Sequence, residues 1–286
     1  MHHPSPSPAP MATPNAQLPA VRTIEVTQSL KWLVLAWQDM AKCGWLSYAH
    51  GLAMTLAGAA ILLVTLDRFW LMAGALSGFL VVAPVLATSL YALSRALERG
   101  EKANLNLVVS TWLNWQKDRS SKWGNDYWAM IQFGVLLALA GTGWVMTSAA
   151  LITLLSPVPI NSLLDFIHHV VLARDNYLFE IWMVLGGMLA APIFASTVVA
   201  MPLLLDRRVT LLQAVLTSWR VVLANPVPMA FWAALLLGIT LLGLGSALLG
   251  LVVVIPLLGH ASWHAYRDLV DVSALPERNA LEKENR

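Results

Sequence analysis

The sequence predicts an all-α membrane protein: six transmembrane helices arranged as three helical hairpins, each preceded by an interfacial amphipathic helix. Three observations lead there. Long apolar runs carry no charge, basic residues gather in alternate loops, and one motif recurs three times. Of the 286 residues, 58% are hydrophobic and 12% charged, about half the charge of a soluble domain. The formal net charge of +2 is too small to suggest a nucleic-acid partner, and none is expected.

Residues 1–27 read as a Pro-rich cytoplasmic tail without fixed structure, since they hold no apolar core of a secretory signal. Residues 28–272 form the membrane domain, and 273–286 a flexible cytoplasmic tail. Apolar runs fall near 47–66, 69–94, 128–155, 178–205 and 229–268. Each of the first four suits a hydrocarbon core of about 30 Å, which takes about 20 helical residues. The fifth is about twice that length, and Gly243, Gly245 and Ser246 offer a place to turn. Thirteen tryptophans sit largely at run ends (Trp45, Trp70, Trp123, Trp128, Trp182, Trp232, Trp263), as an aromatic belt at the headgroups would.

Loop charge decides the number of spans. With six, the loops on one side hold Arg22, Lys31 and Lys42; Arg95, Arg99, Lys102, Lys117, Arg119 and Lys122; Arg207, Arg208 and Arg220; and Arg267, Arg278, Lys283 and Arg286. Only Arg68 and Arg174 of the 18 basic residues fall opposite. Basic excess marks the cytoplasmic side, so both termini are expected in the cytoplasm and the chain in a bacterial inner membrane.

The recurring motif is a pseudo-threefold internal repeat. Gly78, Gly186 and Gly250 each precede a proline by six residues: Pro84, Pro192 and Pro256. A small residue follows each proline by three (Ala87, Ala195, Gly259). Proline kinks a membrane helix, and glycine admits a close neighbour. Amphipathic segments precede each pair, at 30–42, 105–117 and 211–223. The repeats are then about 28–102, 103–209 and 210–272.

Several phrases carry a resemblance: APVLATSLYALSRALERGE from Ala83, FASTVVAMPLLLDRRV from Phe194, TSWRVVLANPVPMAFWAA from Thr217 and LGLVVVIPLLGHASWHAYRDLV from Leu249. Together they resemble the bacterial integral-membrane family known as domain of unknown function twenty-one eighty-nine. The resemblance runs from about Leu30 to Val270 and implies a fold but no activity. Some members carry a cytochrome-oxidase-like label, but this chain has too few histidines for haems and copper. It also departs from the family pattern at His50, where an aromatic residue is expected.

Candidate chemistry is sparse. The spans hold no ionisable residue well inside, and Glu180 sits at an edge, which argues against a carboxylate-driven pump. His260 and His264, four apart, share a helix face. With His50 they form a candidate metal or haem site in the cytoplasmic leaflet, against a plainer reading as packing and hydrogen-bonding groups. His168 and His169, near Asp165 and Asp175, are a weaker candidate. Arg95, Glu98, Arg99, Asp206, Arg207, Arg267 and Asp268 form charge clusters at the cytoplasmic ends. They read as anchors, or as a gate or lipid-phosphate site. Cys43 has no disulfide partner. No phosphate loop, nucleophile elbow or His-Glu-x-x-His is present, so no catalytic residue and no cofactor is proposed. The leading reading is a non-enzymatic assembly, scaffold or accessory subunit. Its partners would be the lipid bilayer and other membrane subunits, or copies of itself. Two rivals stay open: a small-solute or lipid transporter with a cavity on the pseudo-threefold axis, and a metal- or haem-binding protein.

Overall fold

The computed structural model describes residues 18–65, 75, 83, 85–117, 126–173 and 177–278. Gly78 and Pro84 lie outside these residues, as do most of the expected span at 69–94, Arg68, Arg119, Lys122, Arg174 and the ends of both tails.

The described chain is helical apart from one small strand pair. It runs β1 (Ala20–Val21), α1 (Gln28–Cys43), α2 (Trp45–Val64), α3 (Thr88–Glu98), α4 (Leu105–Lys117) and α5 (Asp126–Leu155). It continues through a short α6 (Leu163–Phe166), a π turn (Ile167–Val171), α7 (Leu178–Thr197) and α8 (Ala200–Asp206). It ends with α9 (Leu211–Ala224), α10 (Pro226–Gly245), α11 (Leu251–Leu269) and β2 (Val270–Asp271). Among the described residues, four segments are long and apolar enough to cross a membrane: α2, Ala129–Leu155, α7 with α8, and α10. Their outer faces bare large apolar side chains such as Leu56, Leu139, Met188 and Leu242, as lipid contact requires. The last expected span, α11, is not among the four, because His260, His264, Arg267 and Asp268 make it too polar.

That polar helix sits at the centre, packed against α1, α2, α3 and α10. Lipid is as apolar as leucine, so membrane helices associate through close packing and polar bonds rather than a hydrophobic drive. Glycines provide the approach. A Cβ on Gly51 of α2 would overlap the Val252 backbone carbonyl at the start of α11, and one on Gly259 would press into Leu90 of α3. Gly186 lies against the Trp144 ring. Gly250 precedes α11, its N–H donating to Ser246 Oγ (2.7 Å). Pro192 and Pro256 lie inside α7 and α11, where each removes one helical hydrogen bond.

Three helices, α1, α4 and α9, are amphipathic. Each exposes a stripe at helical spacing: Leu30, Val34 and Trp37; Leu105, Val109 and Leu113; Leu212, Leu216 and Trp219. A capping box starts α9, Thr210 with Gln213, and Pro226 at the first turn starts α10. Gly44, at φ +58°, makes the bend between α1 and α2. That left-handed conformation is costly for any residue with a Cβ.

Two expectations need correction. Residues 18–27 belong to the folded body rather than the tail. β1 pairs antiparallel with β2, Ala20 opposite Asp271. Asn225, 2% exposed, accepts from the Ile24 N–H (2.9 Å) and donates to the Arg22 carbonyl (3.0 Å). At the other end, residues up to Arg278 are held, since the Arg208 N–H donates to the Pro276 carbonyl (3.1 Å). Second, Trp232 and Trp263 are core rather than belt, each 1% exposed. Trp232 meets Trp32 edge-on with centroids 5.3 Å apart.

Gly51→Ala should destabilise the protein by about 1–3 kcal/mol or more, because the neighbour is backbone and cannot turn aside. Gly44→Ala should also cost stability, through the backbone instead of through packing. Thermal unfolding in detergent micelles checks both, with Gly143→Ala, which meets open space, as the neutral control.

Candidate functional site: a buried polar core and an ion network around one helix

The bend at Gly44 lets α1 and α2 present one polar line to α11. Asp39 and Cys43 end α1, and Ser47 begins α2. Asp39 is 6% exposed, and Ser47, Ser94 and His260 are 1% or less. Ser94 Oγ lies 2.7 Å from Asp39 Oδ2 and 2.7 Å from His260 Nδ1. His260 Nε2 lies 2.9 Å from Ser47 Oγ. A hydroxyl has one hydrogen and a carboxylate only accepts, which fixes the direction of the chain. Ser94 donates to Asp39, so His260 Nδ1–H donates to Ser94. Neutral His260 then accepts at Nε2 from the Ser47 hydroxyl. His264 Nε2–H donates to the same Asp39 oxygen at 2.9 Å.

His50 stands apart from this chain. Its Nδ1–H donates to the Leu46 carbonyl (2.6 Å), so its Nε2 accepts from the Ser89 hydroxyl (2.6 Å). The three histidines therefore have separate partners. Among the described residues, no group of three or more His, Cys, Asp or Glu side chains is placed to hold a metal ion. His168 and His169 lie exposed on the π turn. Asp165 beside them accepts from the Asn161 and Ser162 N–H groups (3.1 and 3.0 Å).

Burial pushes the Asp39 carboxyl up, but hydrogen bonds from His264 and Ser94 and the nearby imidazoles outweigh it and hold it below its ordinary value. Burial pushes the Cys43 thiol up to about 11, assisted by the Asp39 charge, so it stays protonated and unreactive at neutral pH.

The charge clusters meet at one end of the bundle. Asp206, 2% exposed, accepts from Arg99 (3.1 Å), Arg207 Nε (3.0 Å) and the Tyr266 hydroxyl (2.8 Å). Glu98 accepts from Arg267 (2.8 Å) and from Trp263 Nε1–H (3.0 Å). Asp268 accepts from Trp32 Nε1–H (2.7 Å) and Gln28 (2.6 Å). Arg95 donates to the Leu205 carbonyl (3.0 Å). Glu277, beyond β2, pairs with Arg99 (3.3 Å) and Arg207 (3.6 Å).

Residues 71–206 match the model of a family described as predicted integral membrane protein (DUF2189). The chain is thus an integral membrane protein that resembles this family. The match covers a narrower stretch than the phrases that suggested it, and takes in α3, α5, α7, α8 and the carboxylates Glu98 and Asp206. No curated protein and no solved structure matches the chain.

Sequence reasoning missed Asp39, Ser47, Ser89 and Ser94. One signal was available for Asp39. Trp32, Ala36, Asp39 and Cys43 follow helical spacing and form the buried face of α1, so a carboxylate within an apolar stripe marked a paired charge.

Asp206→Ala should lose about 3–5 kcal/mol of stability, because it removes the buried carboxylate that Arg99, Arg207 and Tyr266 share. Asp271→Ala, which breaks a half-exposed pair with Arg22 (3.5 Å), should lose no more than about 1 kcal/mol. Chemical unfolding in mixed micelles would measure the difference. Asp39 is held low in the folded state, so its contribution is complete above the unfolded carboxyl value of about 3.9 and is lost as pH falls below it. Thermal stability scanned from pH 7 to pH 2 should show this acid limb, and Asp39→Asn should flatten it.

Proposed function

We propose that the chain is a non-enzymatic structural subunit of a bacterial inner-membrane assembly. It would cross the membrane six times with both ends in the cytoplasm. The observation that carries this reading is the saturated centre. The buried polar groups around α11 are spent on one another, which leaves the central helix as a rigid post rather than a moving part.

Several features support the topology. The β1–β2 pair holds residues 20–21 beside 270–271, which requires an even number of crossings between them. Thr65 at the end of α2 and Thr88 at the start of α3 flank a stretch long enough to return across the membrane. α10 and α11 supply the last two crossings, α11 shielded by its neighbours. The repeats at 28–102, 103–209 and 210–272 gain support from matching stripes. Leu30-x3-Val34-x2-Trp37 corresponds to Leu105-x3-Val109-x2-Trp112 and to Leu212-x3-Leu216-x2-Trp219. Such faces suit the headgroup region.

Axial transport draws less support. One hollow, of about 540 Å³, lies along α5, lined by Met146, Thr147, Ala150, Leu151, Leu154 and Leu155. Another is a cleft at the charged end. Metal or haem binding through Nε2 would require His50 and His260 to surrender their serine hydroxyls and His264 its Asp39 carboxylate.

Detergent-free extraction into polymer-bounded discs, followed by native mass spectrometry, tests the reading. The expected result is a defined assembly, with further membrane subunits or with copies of this chain, and no bound metal or haem. A monomer that conducts a small solute when reconstituted into liposomes would overturn it.

A further inference from the structure

The cleft at the charged end has a volume of about 190 Å³, and its polar walls include Arg22, Arg207, Arg267, Asp271 and Ser273. Its three guanidinium groups come from distant parts of the chain. Arg22 follows β1 and is set by its own N–H, which donates to the Leu269 carbonyl (2.9 Å). Arg207 follows α8, and Arg267 lies in the last turn of α11. Like charges brought together this way repel, and a fold that gathers them needs anions to hold them.

The resident anions are unevenly committed. Arg207 is engaged at all three nitrogens, by Asp206, Glu277 and the Leu275 carbonyl. Arg267 directs Nε and NH2 to Glu98, while its NH1 lies 4.0 Å from Asp206, beyond hydrogen-bond range. Arg22 is half exposed and pairs with Asp271 at 3.5 Å. The Ser273 N–H and the Arg22 charge hold the Asp271 carboxyl below its ordinary range, so it is ionised at neutral pH. It is the one carboxylate among the residues lining the cleft, and its partner Arg22 is the most exposed of the paired guanidinium groups.

We propose that this cleft binds a phosphate group, with Asp271 as the internal anion it displaces from Arg22. Guanidinium forks match phosphate oxygens. A tetrahedral anion can take donors from Arg22, from Arg267 NH1 and from the Ser273 hydroxyl at once, each on a separate oxygen. The volume suits a phosphate with a small substituent such as glycerol. Aromatic side chains are missing from the lining residues, so a stacked nucleobase has no platform there. The phosphate could belong to an anionic lipid headgroup or to a free small molecule. The proposal is independent of whether the chain is a structural subunit.

Inorganic phosphate titrated into the full chain in phosphatidylcholine nanodiscs tests it, read by calorimetry. Nanodiscs containing phosphatidylglycerol, with retained lipid counted by native mass spectrometry, form the second arm. Arg22→Gln should weaken binding about tenfold or more, the worth of a charged hydrogen bond. Asp271→Asn should tighten it, because the competing carboxylate is gone. Both changes are near the surface and leave Asp206 and Glu98 in place. Saturable binding of inorganic phosphate with these two opposite effects identifies a free-phosphate site. The same effects on retained phosphatidylglycerol alone identify a headgroup site. Failure of both arms to bind, or binding that Arg22→Gln leaves unchanged, overturns the proposal.

Discussion

His260 is fully enclosed, and both its ring nitrogens need partners that lipid cannot supply. The helix that carries it also carries His264, Arg267 and Asp268, so α11 has to be wrapped by protein over most of its length. An unsatisfied buried polar group costs about 1–3 kcal/mol, and several on one helix would rival the whole stability of an ordinary domain. The arrangement of α1, α2, α3 and α10 follows from that requirement. It explains why Gly51 and Gly259 have no side chain where the helices touch. It also explains why Asp39 is carried on an amphipathic helix outside the apolar spans, where a carboxylate can be reached from water during folding.

The same requirement divides the protein into two layers. In the apolar layer, α2, α5, α7 and α10 bare leucines and methionines and bury little. In the polar layer, made of α1, α3, α8, α9 and the end of α11, the buried tryptophans of α1 and α11 find carboxylates for their N–H groups. Trp32 reaches Asp268 and Trp263 reaches Glu98. Bringing Asp206 out of water is expensive unless each oxygen is well used, and it is approached by Arg99, Arg207 and Tyr266 together. Its partners come from the residues after α3 and α8 and from α11. One carboxylate therefore ties three parts of the chain, and Glu277 extends the network to the C-terminal segment.

The apolar spans were legible because hydropathy over 20 residues is a property of composition. The charge clusters were legible too, as charges fall at span ends wherever the chain leaves lipid. The buried polar core was not. The spacing of His260 and His264 correctly placed them on one face, but spacing says nothing of what stands opposite. His264 meets Asp39, while His260 meets two serines, and serine leaves almost no trace in a sequence of this composition. Trp232 and Trp263 misled for a related reason. A tryptophan near the end of an apolar run suits the headgroups equally well as a core site with an acceptor, and only the acceptor's position decides. α1 was read as an amphipathic segment over 30–42 without assigning its two faces, which left the inner one, with Asp39, unexamined.

The direction of the hydrogen-bond chain bears on what this core can do. Each donor from Ser47 through His260 and Ser94 points toward Asp39, and each hydroxyl has already committed its single hydrogen. A second proton on His260 would set two donors against each other at Ser47, and the serine would have to turn away from the ring. Such a chain holds one protonation pattern firmly, as suits a post that fixes α11 against α1, α2 and α3. The same fixed helix presents Arg267 at its last turn, beside Arg22 and Arg207. A rigid core thus pre-positions the guanidinium groups of the cleft, and an anion bound there would meet a site whose ordering cost folding has already met.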